Sequence, residues 1–212
     1  MGKTAYFVTF RNTDPLFSVD LSDPEEPEIM GYLKIPGFSA YLHPYDETHL
    51  LGIGYDTDDV YGWTQAIKLT MFDISDPSDV KEEDTKVLKG YEQASVLENA
   101  NAFMFDAKRG VFGFSVAENT WSEDADAAYM AYVYHTDEEG GDGEKDGSAA
   151  KRSGKKEGFE RLLDYELTGN PYDSLTSVRG LIADGYLYVV KAGAGITSFD
   201  TEAYEIVREE MR

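Results

Sequence analysis

Cysteine is absent from this chain, so neither a disulfide nor a thiolate metal site contributes to it. Histidine is nearly absent, with three in 212 residues. That leaves little material for a zinc site, which wants three or four convergent ligands. No apolar run is long enough for a bilayer-spanning helix, and few stretches carry apolar residues at helical spacing, so direct membrane insertion is not expected. Positive charge is scarce as well: 19 Lys and Arg stand against 41 Asp and Glu, a formal net charge of -22. Such a surface repels phosphate backbones, which argues against a nucleic-acid partner. No signal peptide is legible, because Met1-Gly2-Lys3 leads straight into the strand-like Thr4-Ala-Tyr-Phe-Val-Thr-Phe10 without an apolar segment and cleavage site.

What the chain does have is aromatic residues, 15 Tyr and 11 Phe among them, a load that favours strands over helices. The organising stretch is Lys68-Leu-Thr-Met-Phe-Asp-Ile-Ser-Asp-Pro-Ser-Asp-Val80. Its first half alternates as an extended chain, with Leu69 and Met71 on one face and Thr70 and Phe72 on the other. Ser75-Asp76-Pro77 then stops it, because proline cannot donate to a ladder and Asp or Ser side chains cap a turn. The same corner occurs earlier as Val19-Asp-Leu-Ser-Asp-Pro24, and in degenerate form as Gly195-Ile-Thr-Ser-Phe-Asp-Thr201.

Aligned on the ends of the third strands, Asp20, Asp73, His135 and Asp200 are separated by 53, 62 and 65 residues. Short antiparallel strands recurring in fours at about that period predict an all-β fold, a β-propeller of about four blades. A sandwich would not demand the same corner each time. The units fall at roughly 1–37, 38–90, 91–170 and 171–212 of a single propeller, the first having three strands. An acidic, low-complexity insertion at 136–158 is expected to be mobile, since it buries too little apolar area to offset its chain entropy. Within the first unit Ile29, Gly31, Leu33 and Ile35 are expected to alternate inward. Phe17, Val19, Met71, Ile74, Phe103, Phe105, Val189 and Phe199 are the expected core between blades. With one strand short and two end blades uncovered, the chain is expected to form a homodimer that completes a ring, or to close on itself.

The match then becomes specific. Tyr6-Phe-Val-Thr-Phe-Arg-Asn-Thr-Asp-Pro-Leu-Phe-Ser-Val-Asp-Leu-Ser-Asp-Pro24, Leu33-Lys-Ile-Pro-Gly-Phe-Ser39, Tyr41-Leu-His-Pro-Tyr45, Leu51-Gly-Ile-Gly54 and Met71-Phe-Asp-Ile-Ser-Asp-Pro77 resemble a bacterial and archaeal family of secreted or surface proteins. That family carries a C-terminal β-propeller distantly related to WD-repeat propellers. The resemblance runs from about Thr4 to the C-terminus and is thinnest through 119–170. It implies a propeller and an extracellular or cell-surface setting. Its motifs are fold motifs and bring no catalytic residues.

Residues that carry chemistry are few. His43 and His49 flank a turn and would need Asp46 or Glu47 to complete a metal site; a His-Pro turn explains them as well. Asp142-Gly-Glu-Lys-Asp-Gly147 resembles the start of a calcium loop, with Asp142, Glu144 and Asp146 as oxygen ligands. Its twelfth position is Ser153, where the bidentate glutamate belongs. Asp56 and Asp58, with Asp59, form a second acidic cluster. Calcium is the one cofactor these acids suit, and solvated loops account for both clusters. No Gly-x-Ser-x-Gly elbow is present, and Gly193-Ala-Gly195 is not followed by a helix pattern. Gly52-Ile-Gly54 lies inside a strand, where glycine lets a neighbouring backbone approach.

The expectation is therefore a non-catalytic binding or scaffold module. Tyr55, Tyr61, Trp63 and Trp121 are the exposed aromatics near loops that would meet a protein or glycan. The competing expectation is a hydrolase or lyase using carboxylates in the propeller channel.

Overall fold

The structure, a computed structural model, describes residues 2–9, 15–34, 37–57, 64–122, 124–136 and 157–211. Its strands form four antiparallel sheets that follow one another along the chain. Sheet 1 holds β1 (Thr4–Val8), β2 (Pro15–Asp20) and β3 (Glu28–Lys34), and sheet 2 holds β4 (Phe38–Pro44), β5 (His49–Thr57), β6 (Thr64–Asp73) and β7 (Lys81–Leu88). Sheet 3 comprises β8 (Gln93–Ala94), β9 (Met104–Asp106), β10 (Val111–Ala117), β11 (Ala127–His135) and β12 (Gly158–Glu166). Sheet 4 is β13 (Val178–Ala183), β14 (Tyr186–Lys191), β15 (Gly195–Asp200) and β16 (Ile206–Met211). Sheets 1, 2 and 4 are meanders, every strand pairing with its sequence neighbour, as short hairpin connections dictate; in sheet 3 β10, β11 and β12 follow in order and both β8 and β9 pair with β10.

The sheets stack in order, and each junction has its own apolar cluster. Leu16 of sheet 1 meets Leu50, Phe72, Ile74 and Val80 of sheet 2. Leu51, Ile53, Leu69 and Met71 meet Phe112, Phe114, Met130 and Tyr132 across the second junction. Tyr129, Ala131 and Leu163 meet Leu187, Val189 and Phe199 across the third. First strands lie beside first strands, as with β9 and β13, and last beside last, as with β7 and β12. This is the radial arrangement of propeller blades. The segment 137–156, most of the expected insertion, lies outside the described residues.

The corner that ends β2, β6 and β15 is built as its residues require. Asp20 Oδ1 accepts from the Ser22 N–H at 2.7 Å, Asp73 Oδ1 from Ser75 N–H at 2.9 Å, and Asp200 Oδ1 from Glu202 N–H at 3.0 Å. Asp23 and Asp76 repeat the bond two residues on, to Glu25 and Ser78, each at 2.9 Å. A short carboxylate satisfying the backbone two residues ahead closes the turn locally. Gly52 and Gly54 behave as expected. A Cβ at Gly54 would run into the Phe38 carbonyl, and one at Gly52 into Ser39 Oγ and the Phe72 ring.

Three expectations need correcting. Phe17 and Val19 are not between blades: they alternate with Leu16 and Ser18, which face sheet 2, and Phe17 sits half-buried on the outward face of sheet 1, its ring centroid 5.4 Å from Phe7 and 6.2 Å from Tyr32. Ile29 points outward too, 64% exposed, because a register shift between Ser18 and Val19 pairs Ile29 with Val19. Phe103 and Phe105 are only partly buried, at the rim of the second junction rather than inside it. Met71, Ile74, Val189 and Phe199 are buried as expected.

Sheet 3 departs from the regular unit. Its first strand is broken into β8 and β9, which pair with opposite ends of β10. Between them run α1 (Ser95–Glu98) and a 3-10 turn, Ala100–Ala102. The backbone bond lost at the break is replaced: Ser95 Oγ accepts from the Ser115 N–H at 3.0 Å. The second helix, α2 (Pro171–Ser177), precedes sheet 4. Asn170 caps it, its Oδ1 accepting from the Tyr172 N–H at 2.9 Å, and Pro171 occupies the first helical position, where a missing N–H is harmless.

Candidate functional site

The two ends of the stack differ. One end carries the Asp-capped corners, the tight turns after β4, β9 and β13, and the connection from β11 to β12, of which 137–156 lie outside the described residues. The other carries three further long connections: 89–103 with α1, 118–126, and 167–177 with α2. Backbone bonds gather them there. The Glu92 N–H donates to Ala117 O at 3.0 Å, Leu167 N–H to Ala127 O at 2.8 Å, and Ala192 N–H to Ser177 O at 3.1 Å. The helices lie against one another, and α2 also packs on β10 and β11. Loops on a rigid scaffold are where binding residues concentrate, because they change without disturbing the ladders.

Trp121 stands in the 118–126 connection, 83% exposed. The Asn119 side chain holds the turn beneath it, accepting from the N–H groups of Trp121 and Ser122 at 3.1 Å each. Tyr172, on the first turn of α2, is 60% exposed. The sequence reading missed this residue because it missed the helix; the signal was Asn170-Pro171 followed by Asp173. Tyr55 is not the exposed contact expected of it. β5 continues through Thr57, so Tyr55 is still in the ladder, paired with Phe38 and Ile67, its ring 5.2 Å from that of Phe38. Burial pushes its hydroxyl pKa up, and the Glu98 carboxylate of α1 adds to the shift. Asp56 is likewise a ladder residue, opposite Ala66. Tyr61, Trp63, Asp58, Asp142, Glu144 and Asp146 lie outside the described residues.

This end is acidic as well as aromatic. Burial raises the Tyr91 pKa, and Asp164, Asp126 and Glu118 all reinforce it. Exposed rings beside carboxylates favour a partner that offers both apolar surface and cations.

The histidines serve the framework. His49 Nδ1 lies 2.8 Å from the Asp46 carboxylate and Nε2 lies 3.1 Å from Glu83. With a carboxylate on each nitrogen, the ring clamps its own turn to β7 and has no nitrogen left for a metal or substrate. Burial pushes the Glu83 pKa up, with His49 pulling against it. His43 meets Tyr41 at 3.1 Å, packs beside Phe103 and Phe105, and has its pKa lowered by burial. It does not converge with His49. His135 pairs with Glu160 at 2.8 Å. Among the described residues no three His, Asp or Glu side chains are disposed to hold a metal ion.

Two relatives place the chain in company. An uncharacterized protein of Archaeoglobus fulgidus is 45% identical over 118 residues, covering 56% of this chain and 18% of that protein. The uncharacterized protein MJ1554 of Methanocaldococcus jannaschii is 39% identical over 112 residues, covering 53% of this chain and 17% of its own length. The chain thus spans less than a fifth of either relative. A family model described as a beta propeller domain matches residues 1–204. With four radially stacked antiparallel sheets on the same residues, the chain belongs to the beta propeller domain family.

Proposed function

We propose that this chain is a non-catalytic binding module of a cell-surface or secreted protein, and that the end carrying α1, α2 and the 118–126 connection receives a protein partner. The observation that supports the reading is that the long connections at this end hold Trp121 and Tyr172 in solvent, 83% and 60% exposed, on a stack of hydrogen-bonded sheets. Large rings at a rigid surface are the residues that carry most binding energy when a partner covers them. The surrounding carboxylates favour a partner with Lys and Arg among its apolar contacts and raise the encounter rate at low salt. A glycan ligand would also stack on Trp121, and the experiment separates the two.

The test is capture from a native cell-envelope extract with the full chain, run beside a Trp121→Ala/Tyr172→Ala double variant. The expected result is one protein enriched by the parent chain, with binding at least about tenfold weaker to the variant while the thermal midpoint stays put. Equal capture by both removes this end as the site. Capture abolished by deglycosylating the extract assigns a glycan. Turnover of a glycan or peptide library with no captured partner would favour the enzyme.

A further inference from the structure

The tight turns after β9 and β13 border a crevice of about 660 Å³ between the first strands of sheets 3 and 4. That size is within the roughly 300–1,000 Å³ of small-molecule sites. Met104 and Asp106 of β9, with the turn residues Lys108 and Arg109, make one wall; Gly180 and Ile182 of β13, with Asp184 of its turn, make the other. All of them belong to the junction between two successive sheets, so the crevice owes nothing to the outer faces of the stack.

Its two lips are unlike in charge. Arg109 Nη1 lies 2.6 Å from Asp106 Oδ2, and that pair is closed on itself. Lys108 and Asp184 remain, one on each lip. Lys108 bonds only through its backbone N–H, to Asp106 Oδ1 at 3.0 Å, and among the described residues no ion pair or hydrogen bond engages either side chain. An ammonium and a carboxylate therefore face one gap without closing it.

The floor is set by Tyr129. Its side chain runs from β11 across Gly113 of β10 to Gly180 of β13: a Cβ at Gly113 would lie 2.8 Å from the hydroxyl oxygen, and one at Gly180 would collide with it. Because Gly180 is also crevice wall, the hydroxyl comes to the crevice floor where a side chain at 180 would otherwise stand. Tyr129 is fully buried, its hydroxyl has no partner among the described residues, and burial pushes its pKa up, so it remains a neutral hydroxyl. A phenylalanine would fill the same volume without stranding an oxygen. Packing alone thus leaves the hydroxyl unexplained, whereas buried polar groups are ordinarily paired.

We propose that this crevice binds a small zwitterion, an α-amino acid with an apolar side chain. Its carboxylate sits between Lys108 and the Tyr129 hydroxyl, its ammonium meets Asp184, and its side chain lies against Met104 and Ile182. Two unlike charges across one gap select a molecule that carries both, because a lone anion also meets Asp184 and a lone cation also meets Lys108.

Calorimetric titration and thermal shift on the full chain test this with free leucine and free phenylalanine. Isocaproate, which lacks the ammonium of leucine, and isopentylamine, which lacks its carboxylate, are the controls. The expected result is saturable binding of at least one amino acid, at least about tenfold tighter than either control, the loss expected for one charged hydrogen bond. Lys108→Ala and Asp184→Asn should each weaken it by a similar factor; asparagine suits the positive φ of 50° at that position. Tyr129→Phe should weaken binding while the thermal midpoint of the free protein holds or rises, which a purely structural role would not give. No saturation and no midpoint shift with either amino acid overturns the proposal. So does isocaproate or isopentylamine binding as tightly as leucine, which marks a site for a single ion, or binding that Tyr129→Phe leaves intact.

Discussion

The middle sheets and the end sheets are built from the same repeating unit but do not carry the same residues. Every residue of β10 is buried, and eight of nine in β11. Covered on both faces, these strands have no solvent side, and their sequences show no polar alternation. Strand β3, in an end sheet, has no fully buried residue at all. The difference shows that burial in this fold is set by a sheet's place in the stack more than by its own pattern. Phe17 and Ile196 are as apolar as their counterparts in sheets 2 and 3, yet among the described residues no apolar cluster forms on their faces.

The largest expected effect follows from that contrast. Phe112 is fully buried in β10, with Tyr132 stacked at 5.8 Å and Tyr45 edge-on at 6.4 Å. Phe112→Ala should cost about 3–5 kcal/mol, the range for deleting a core aromatic. Phe7→Ala, on the outer face of sheet 1, should cost less than about 1 kcal/mol in the single chain. Urea unfolding at low salt checks both. Equal losses would mean that the end faces are already covered.

A smaller effect probes the third junction. Tyr129 is fully buried with its hydroxyl directed at Gly180 of β13, where an added Cβ would collide with it, and that hydroxyl has no hydrogen-bond partner among the described residues. Gly180→Ala should therefore destabilise by about 1–3 kcal/mol through overpacking. Tyr129→Phe removes an unsatisfied buried oxygen and should leave stability unchanged or raise it, because that oxygen costs on the order of 1 kcal/mol where it stands. Combining the two should recover part of the Gly180→Ala loss, a coupling that a double-mutant cycle reads. Strict additivity would show that the two residues do not press on each other.

How much of this was legible in advance depends on how local the signal is. The corners at Asp20, Asp73 and Asp200 are written in four or five consecutive residues and were read correctly, because the carboxylate bonds a backbone only two residues away. The strands followed from alternation and the sheet count from the recurrence of the corner. Ile29 was misread because Met30 is an extra residue in β3, between the Ser18–Gly31 and Val19–Ile29 pairs, and that one-residue bulge reverses the side on which Ile29 lies. The break between β8 and β9 was not legible, since the excursion is defined by what β10 pairs with on either side of it. Of the candidate site, Trp121 was visible as an aromatic in a loop. Tyr172 was hidden by a seven-residue helix too short to show a period, and Tyr55 was expected beside a loop starting at Asp56, whereas β5 runs on through Thr57.

The smallest effect lies in the corners themselves, which are common to middle and end sheets and should be indifferent to stacking. The side-chain hydroxyls and backbone N–H groups of Ser22, Ser75 and Ser78 hold the pKa values of Asp20, Asp73 and Asp76 below the ordinary carboxylate value; for Asp200 the backbone N–H of Ala203 leads. A depressed folded-state pKa contributes stability above the unfolded value near 3.8, and that contribution is lost as the pH falls through the lower folded one. Glu83 has the opposite sign: burial raises its pKa, so its ionisation weakens the fold, and stability recovers as the pH drops through the raised value. The thermal midpoint should therefore rise slightly on acidification from neutrality and then fall below about pH 4. Asp200→Asn keeps one oxygen to accept from the Glu202 and Ala203 N–H groups but loses the acceptor of the Glu205 N–H and cannot titrate, so it should flatten the acid limb and lower the neutral midpoint by less than Asp200→Ala does. Asp200→Ala removes the acceptor and should lower the midpoint at neutral pH, by less than Gly180→Ala does. Calorimetry from pH 2.5 to 8 on the three proteins reads both changes. An acid limb equally steep in parent and Asp200→Asn would remove this carboxylate from the balance and move the acid sensitivity elsewhere in the chain.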